Sequence, residues 1–402
     1  MAIATIPGYP RIGKRREMKR ALEGYWAGKR SAAALAETAA ATRRANWAAQ
    51  TAAGLDLIPV NDFSLYDHVL DACALVGAVP PRFGWTGGNV DFDTYFAMAR
   101  GALGPEPAHA LDLTKWFDTN YHYLVPEFAA DQEFRLTSDK PFAELADAQA
   151  LGLPAKPVLV GPLTLLLLGR RVDGGDPLSL LDALLPVYAE VVQRLAAAGA
   201  DWIELDEPIL ALERTPAELE ALARAYAALG EAKGPAKLLV QVAYGGAGNA
   251  LPTLAAPIDG IGLDFVRGPE QIDQIERHGW PTDKWLAAGV VDGRNVWTND
   301  FDASLALLER IQRQVPADRL MISTSCSLLH VPYDVALEEA LPASARPWLA
   351  FAEQKLAEVA TLTRAVNEGA EAVAADLAAN REARAQAATS PLRRNEAVRA
   401  RL

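Results

Sequence analysis

Short apolar runs separated by longer helical patterns constrain the fold of this chain more than any other feature. The runs lie at residues 55–60 (LDLIPV), 116–124 (WFDTNYHYL), 156–160 (KPVLV), 201–205 (DWIEL), 237–242 (KLLVQV), 260–266 (GIGLDFV), 285–291 (WLAAGVV) and 320–324 (LMIST). Helical patterns occupy residues 177–198, 216–227, 269–277, 304–314 and 348–366. Strands that are apolar almost throughout and joined by helical crossovers predict a parallel sheet covered on both faces. Eight such units predict an α/β fold of the closed (β/α)8 TIM-barrel type over an open doubly wound sheet. A length of 402 residues suits two ordinary domains or one large barrel with additions. On this reading residues 46–368 form the barrel. Residues 1–45 are an amino-terminal helical extension packed on it, and residues 369–402 are a helix followed by the start of an interdomain linker.

Polar residues collect just after the carboxyl ends of the runs: Asn61 and Asp62, His122, Thr164, Asp206 and Glu207, Tyr244, Asp292 with Arg294 and Asn295, and residues 323–327. In a barrel all these ends open on one face, where active sites are built. Helix N-caps want the same residue types at the same places, so the set says more than any member. Asp206 and Glu207 are adjacent on a strand and point to opposite faces, which leaves one of them for the mouth.

Charge and composition exclude several classes. Thirty-nine basic against 51 acidic residues give a net charge of −12, a field that repels a nucleic-acid backbone. The longest apolar stretch, residues 157–169, is shorter than the ~18 residues a membrane span needs. The first residues carry their basic cluster after a short apolar segment, the wrong order for a secretory signal. Cys73 and Cys326 make no disulfide framework, and their scarcity fits a reducing cytoplasm. No Walker loop, dinucleotide fingerprint, G-x-S-x-G or H-E-x-x-H is present.

Two features remain. Lys14, Arg15, Arg16, Lys19 and Arg20 fall within two turns of a helix that begins after Gly13, either a solvated face or a cradle for a polyanion. Cys326 and His330 stand four residues apart, but zinc wants three or four protein ligands and no convincing third is near them in sequence. A buried thiol and an ordinary polar histidine is the simpler reading.

The blocks GYPRIGKRREMKRALEGYWAGK, IPVNDFSLYDHVL, TKWFDTNYHYLVPEF, KPVLVGPLTLLLLG, IELDEP, DGRNVW and STSCSLLHVPYD, in this order from residue 8 to 334, resemble the amino-terminal half of the cobalamin-independent methionine synthases. The tail RRNEAVRARL resembles the connector that follows in that family. The resemblance implies a methyltransferase that moves the methyl group of 5-methyltetrahydropteroyltri-L-glutamate to L-homocysteine, forming L-methionine. It implies two facing (β/α)8 barrels, with zinc, its His, Cys, Glu and Cys ligands, the homocysteine site and most of the folate site in the carboxyl-terminal one. For this chain it implies no metal ligand and no catalytic residue, only a scaffold and part of a folate-polyglutamate site at Arg16, Glu17, Met18, Lys19 and Lys115. The second barrel is then the expected partner, homocysteine is met only through it, and this half is inactive alone. Two other readings stay open: a stand-alone barrel that binds folate polyglutamates, and an unrelated barrel enzyme using Asp206, Asp292 and Arg294 at the mouth.

Overall fold

The computed structural model describes residues 1–102, 107–254, 258–393 and 396–401. Eight parallel strands form the centre: β1 (Ile3–Ala4), β2 (Ile58–Val60), β3 (Ala155–Val160), β4 (Trp202–Asp206), β5 (Lys237–Gln241), β6 (Gly260–Asp264), β7 (Trp285–Val291) and β8 (Leu320–Thr324). Each pairs with its sequence neighbour from β2 to β8, and β8 pairs with β1 through Ile3–Met321 and Ala4–Ile322. A parallel bridge between Thr5 and Leu57, with the Leu57 N–H donating to Ala4 O, joins β1 to β2 and closes the barrel.

Two expectations are corrected here. The run at residues 116–124 is no barrel strand: Leu113–Lys115 and His122–Leu124 pair antiparallel as a separate hairpin. Its first strand is exposed throughout and cannot be the doubly covered strand that a barrel needs. The eighth barrel strand is β1, from the segment expected to lie outside. Ala2, Ala4 and Ile6 are buried there, although the run is too short to display a period.

Strand alternation sorts side chains into two cores. On β4, Ile203 and Leu205 face outward into the large cluster shared with the surrounding helices, while Trp202, Glu204 and Asp206 take the other face. Leu57, Trp202, Leu239, Ala287 and Met321 pack together at the amino-terminal ends of the strands, with Trp202 edge-on to Trp285 at 5.5 Å. The barrel interior is thus apolar at its base and polar above. Gly262 on β6 is required by that polar layer, because a Cβ there would lie 1.9 Å from Gln241 Oε1.

The helices follow local signals. Pro216–Ala232 starts at Thr215 with a capping box to Glu218 and proline at its first position. Leu181–Ala197, Gln271–His278, Phe301–Gln312 and Ala352–Glu368 lie within a few residues of the sequence patterns. In the amino-terminal region, α1 (Glu17–Trp26) and α2 (Ala32–Ala52) pack on each other and on a second apolar cluster with Phe63, Leu70 and Tyr95. Ala374–Thr389 is held against the barrel by Arg381 on Asp302 at 2.7 Å, Arg384 on Asp300, and the small cluster of Trp348, Ala383 and Ala387. Arg394, Asn395 and Leu402 of the expected linker lie outside the described residues. Among the described residues no helix is long and apolar enough to cross a membrane.

Candidate functional site

The cationic cluster lies at the start of α1. Arg16 takes a left-handed conformation (φ 61°) as its N-cap residue, and the Met18 N–H donates to Ile12 O at 3.1 Å. Arg15, Arg16, Lys19 and Arg20 are exposed, whereas Met18 is buried in the second apolar cluster. The Glu17 carboxylate turns back and accepts from the Arg15 N–H at 3.0 Å, filling space that a side chain at Gly13 would occupy. Lys19 has a loose i,i+4 neighbour in Glu23 at 3.7 Å, which solvent screening leaves weak.

A groove beside α1 is lined by Arg11, Met18, Lys19, Trp26, Leu65 and Tyr66. Lys115 sits on the exposed strand of the 113–124 hairpin, opposite His122. The two regions meet through one segment: Tyr121 of the hairpin donates its hydroxyl to Tyr66 O at 3.4 Å, and Arg11 lies over the Tyr121 ring at 6.0 Å. Folding therefore brings the hairpin bearing Lys115 against the 65–66 segment that also walls the Lys19 groove.

The barrel mouth is a second, separate feature. Its cavity is lined by Asn61, Asp62, Asp71, Lys140, Asp206 and Gln241, under walls from His68, Trp116 and Tyr244. The hairpin supplies the roof. Trp116 is buried and meets the His68 ring edge-on at 4.4 Å, and Phe117 stacks on Tyr244 at 5.5 Å, both of the latter with positive φ. Arg294 anchors the hairpin through Asp118 Oδ1 at 2.6 Å and Asp118 O at 2.9 Å.

Of the paired residues at the end of β4, Asp206 faces this cavity and Glu207 faces away. The buried Glu207 carboxylate accepts from the N–H of Leu163 and Thr164, the Thr164 hydroxyl and the Tyr226 hydroxyl, at 2.6–3.1 Å. It thereby caps the helix Pro162–Leu167 and has a structural task. Asp292 accepts from the N–H groups of Arg294 and Asn295 and from the Asn295 amide, so it organises its own loop. Asp206, Asp292 and Arg294 are each engaged differently and do not form one acid–base set.

Loss of water governs the ionisable groups of the mouth. Burial raises the Asp62 carboxyl from 3.8 to about 7 against the opposing bond from the Tyr9 N–H. Burial, then the neighbouring Glu204, pushes Asp206 well above the carboxylate range. Glu204 is likewise raised by burial, with Lys156 pulling the other way. Burial lowers His68 to about 3 and His330 to about 4, so both imidazoles are neutral at pH 7. The Cys326 thiol is driven up by burial and is no nucleophile.

Cys326 and His330 do not fit a zinc site. His330 Nε2 bonds the Tyr244 hydroxyl at 2.9 Å, and Cys326 Sγ is directed to Ser327 O at 3.6 Å. Among the described residues no three His, Cys, Asp or Glu side chains are grouped to hold a metal ion.

Sequence reasoning missed the buried Lys156–Glu204 pair and the residues His68, Lys140 and Trp116 around the mouth. Lys156 and Glu204 carried a signal, being charges inside otherwise apolar strand runs. Trp116 was instead assigned to a strand.

Fold and site define a (β/α)8 barrel with a polar, roofed mouth and a cationic helix in the amino-terminal region of the chain. The model of the family described as cobalamin-independent synthase, N-terminal domain, matches residues 3–316, and the chain belongs to that family. It is 51% identical over its full length to 5-methyltetrahydropteroyltriglutamate–homocysteine methyltransferase of Streptomyces avermitilis, covering 52% of that protein. With the protein of the same name from Caulobacter vibrioides it shares 48% identity over 97% of its length, again covering 52% of the relative. The chain thus spans about half the length of the curated relatives it matches. Among solved structures, a B12-independent methionine synthase from a Shewanella species superposes with a TM-score of 0.58 at 17% identity, over 87% of this chain and 92% of that one. A putative one from Listeria monocytogenes gives 0.59 at 16%, over 91% and 99%. At such identities these two speak for the fold alone.

Proposed function

We propose that this chain is the amino-terminal barrel of a methyltransferase that carries the methyl group of 5-methyltetrahydropteroyltriglutamate to homocysteine. In this reading it supplies scaffold and part of the polyglutamate site, and a second barrel supplies homocysteine binding, zinc and the chemistry. The names of the relatives and their doubled length support the reaction and the division of labour. The polyglutamate contact rests on one observation: exposed Lys19, three residues after exposed Arg16 at the N-cap of α1, lines a groove walled by the 65–66 segment on which the Lys115 hairpin leans.

A triglutamate tail is a run of carboxylates, and lysine and arginine give charge-assisted bonds to such groups. The amino-terminal end of α1 adds the positive end of the helix dipole. Met18, buried and with its N–H given to Ile12 O, contributes through the packing that fixes the helix. Glu17, already bonded to its own loop, holds the loop in shape. Tail contacts of this kind are equal in ground and transition states, so they act on KM and leave kcat alone.

The test is steady-state kinetics of the full-length enzyme containing this chain, with triglutamate and monoglutamate substrates. Lys19→Ala and Lys115→Ala should each raise KM for the triglutamate up to about five-fold, the equivalent of the ~0.2–1 kcal/mol of an exposed ion pair, with kcat unchanged. A triglutamate-to-monoglutamate ratio of kcat/KM that stays at the wild-type value in both variants would reduce these cations to a solvated face.

A further inference from the structure

Resting on the polyglutamate reading above, we propose that Arg11 is a further specificity-determining residue of the tail site. Its guanidinium takes a tail carboxylate that the monoglutamate lacks.

The first support is position. Arg11 lines the groove beside α1 with Lys19, Trp26 and Tyr66, and its guanidinium lies over the ring of Tyr121, in the hairpin that carries Lys115. It therefore stands where the Lys19 groove meets that hairpin. The carboxylate in the groove wall, Glu23, is exposed and faces Lys19 at 3.7 Å. A triglutamate tail carries four carboxylates, two more than a monoglutamate, and Arg16, Lys19 and Lys115 do not exhaust them.

The second support is an unanswered charge. Arg11 is half-buried, yet among the described residues it forms no ion pair. The half-buried Arg43, Arg171, Arg214, Arg294 and Arg310 each hold a carboxylate. Withdrawing a charge from water without a partner is costly, and a bound carboxylate removes that cost. Arg11 Nη1 donates to Ser64 O at 3.4 Å and Leu65 O at 3.3 Å, long bonds to neutral acceptors. The Tyr121 hydroxyl is its other polar neighbour. These contacts use a minority of the five donors of a guanidinium, whose fork suits a carboxylate.

The third support is that the surrounding backbone is fixed without the Arg11 side chain. Asn46 Nδ2 donates to Pro10 O at 2.9 Å, the Tyr333 hydroxyl also donates to Pro10 O, and the Gly13 N–H donates to the Tyr333 hydroxyl at 3.0 Å. The opposite wall is held by the Tyr66 N–H on Ser64 Oγ at 3.2 Å. Arg11 is thus presented to the groove by a rigid frame and is not needed to build it.

The experiment is steady-state kinetics of the full-length enzyme containing this chain, with monoglutamate and triglutamate substrates. The variants are Arg11→Gln, Arg11→Lys, Lys19→Ala and the double variant Arg11→Gln/Lys19→Ala. Arg11→Gln should raise KM for the triglutamate about ten-fold at unchanged kcat, more than Lys19→Ala, because a half-buried pair is screened less than an exposed one. The triglutamate-to-monoglutamate ratio of kcat/KM should fall accordingly. Arg11→Lys keeps the charge without the fork and should raise KM about three-fold. Two side chains that take different carboxylates act independently, so their fold-changes should multiply in the double variant. A wild-type ratio in Arg11→Gln beside a lowered one in Lys19→Ala would overturn the role of Arg11 alone, whereas wild-type ratios in Arg11→Gln, Lys19→Ala and Lys115→Ala would remove the tail site itself. An equal rise in KM for both substrates, or a Lys19→Ala effect that vanishes in the Arg11→Gln background, would make Arg11 a shaper of the groove and refute the contact. If Arg11→Gln fails to fold, Arg11→Lys decides, and a wild-type KM for the triglutamate in that variant would overturn the assignment.

Discussion

Asp62→Asn should stabilise the protein at neutral pH and leave it unchanged in acid. Asp62 follows β2 at the barrel mouth, where one carboxylate oxygen accepts from the Tyr9 N–H at 2.8 Å. Its carboxyl is raised by burial from 3.8 to about 7. A folded-state pKa above the unfolded value means that the native state holds the proton longer. The stability this confers is complete below pH 3.8 and is lost as pH rises through about 7. The interval of 7 − 3.8 = 3.2 pH units, at ~1.36 kcal/mol each, corresponds to about 4 kcal/mol. Asp62 is only partly buried, and solvent reaching it roughly halves that figure, to about 2 kcal/mol. Asparagine keeps an oxygen for the Tyr9 N–H and carries no charge. Urea unfolding of both proteins at half-unit intervals from pH 4 to 8 measures the effect. The two stabilities should coincide near pH 4 and diverge by about 2 kcal/mol at pH 8 in favour of the variant. Parallel profiles, or a variant less stable at pH 8, would refute the account of a carboxyl destabilised by its surroundings.

Other substitutions probe the interior. Lys156→Met strands Glu204 without its cation and should cost ~3–5 kcal/mol, while adding Glu204→Leu should recover most of that loss, both read from thermal melts. Gly262→Ala drives a methyl group into Gln241 and should cost ~1–3 kcal/mol by the same measurement, with Gln241→Ala relieving it. Limited proteolysis should cut first near Ser390, after the helix Ala374–Thr389, and early cleavage at residues 200–260 into two stable parts would contradict a single barrel.

The sequence made the barrel legible where strands are long enough to show their character. Runs such as KLLVQV and WLAAGVV are apolar on both faces, which only a doubly covered strand tolerates, and seven of the eight barrel strands declare themselves in this way. β1 does not, because two residues carry no period; its place is fixed by Thr5–Leu57 and Ile3–Met321, contacts between segments far apart in sequence. The hairpin at 113–124 misled for the opposite reason. Its aromatic residues have strand propensity, but whether they enter the barrel or roof it depends on burial that only the packed molecule supplies.

The same division holds for the sites. The cationic cluster of Arg16 and Lys19 could be read directly, since residues three and four apart on a helix are neighbours whatever the fold, and resemblance attached Lys115 to it. That Asp206 and Glu207 must part company followed from strand geometry alone. Which of them faces the mouth did not, because that depends on the side of the strand turned to the barrel axis. The convergence of Asp62, Asp206, Glu204 and Lys156 from three strands, under Trp116 from a hairpin, was beyond the sequence altogether. Ionisation depends on distance and exclusion of water, and those are set by tertiary packing between segments far apart in sequence, as with Lys156 and Glu204, 48 positions apart.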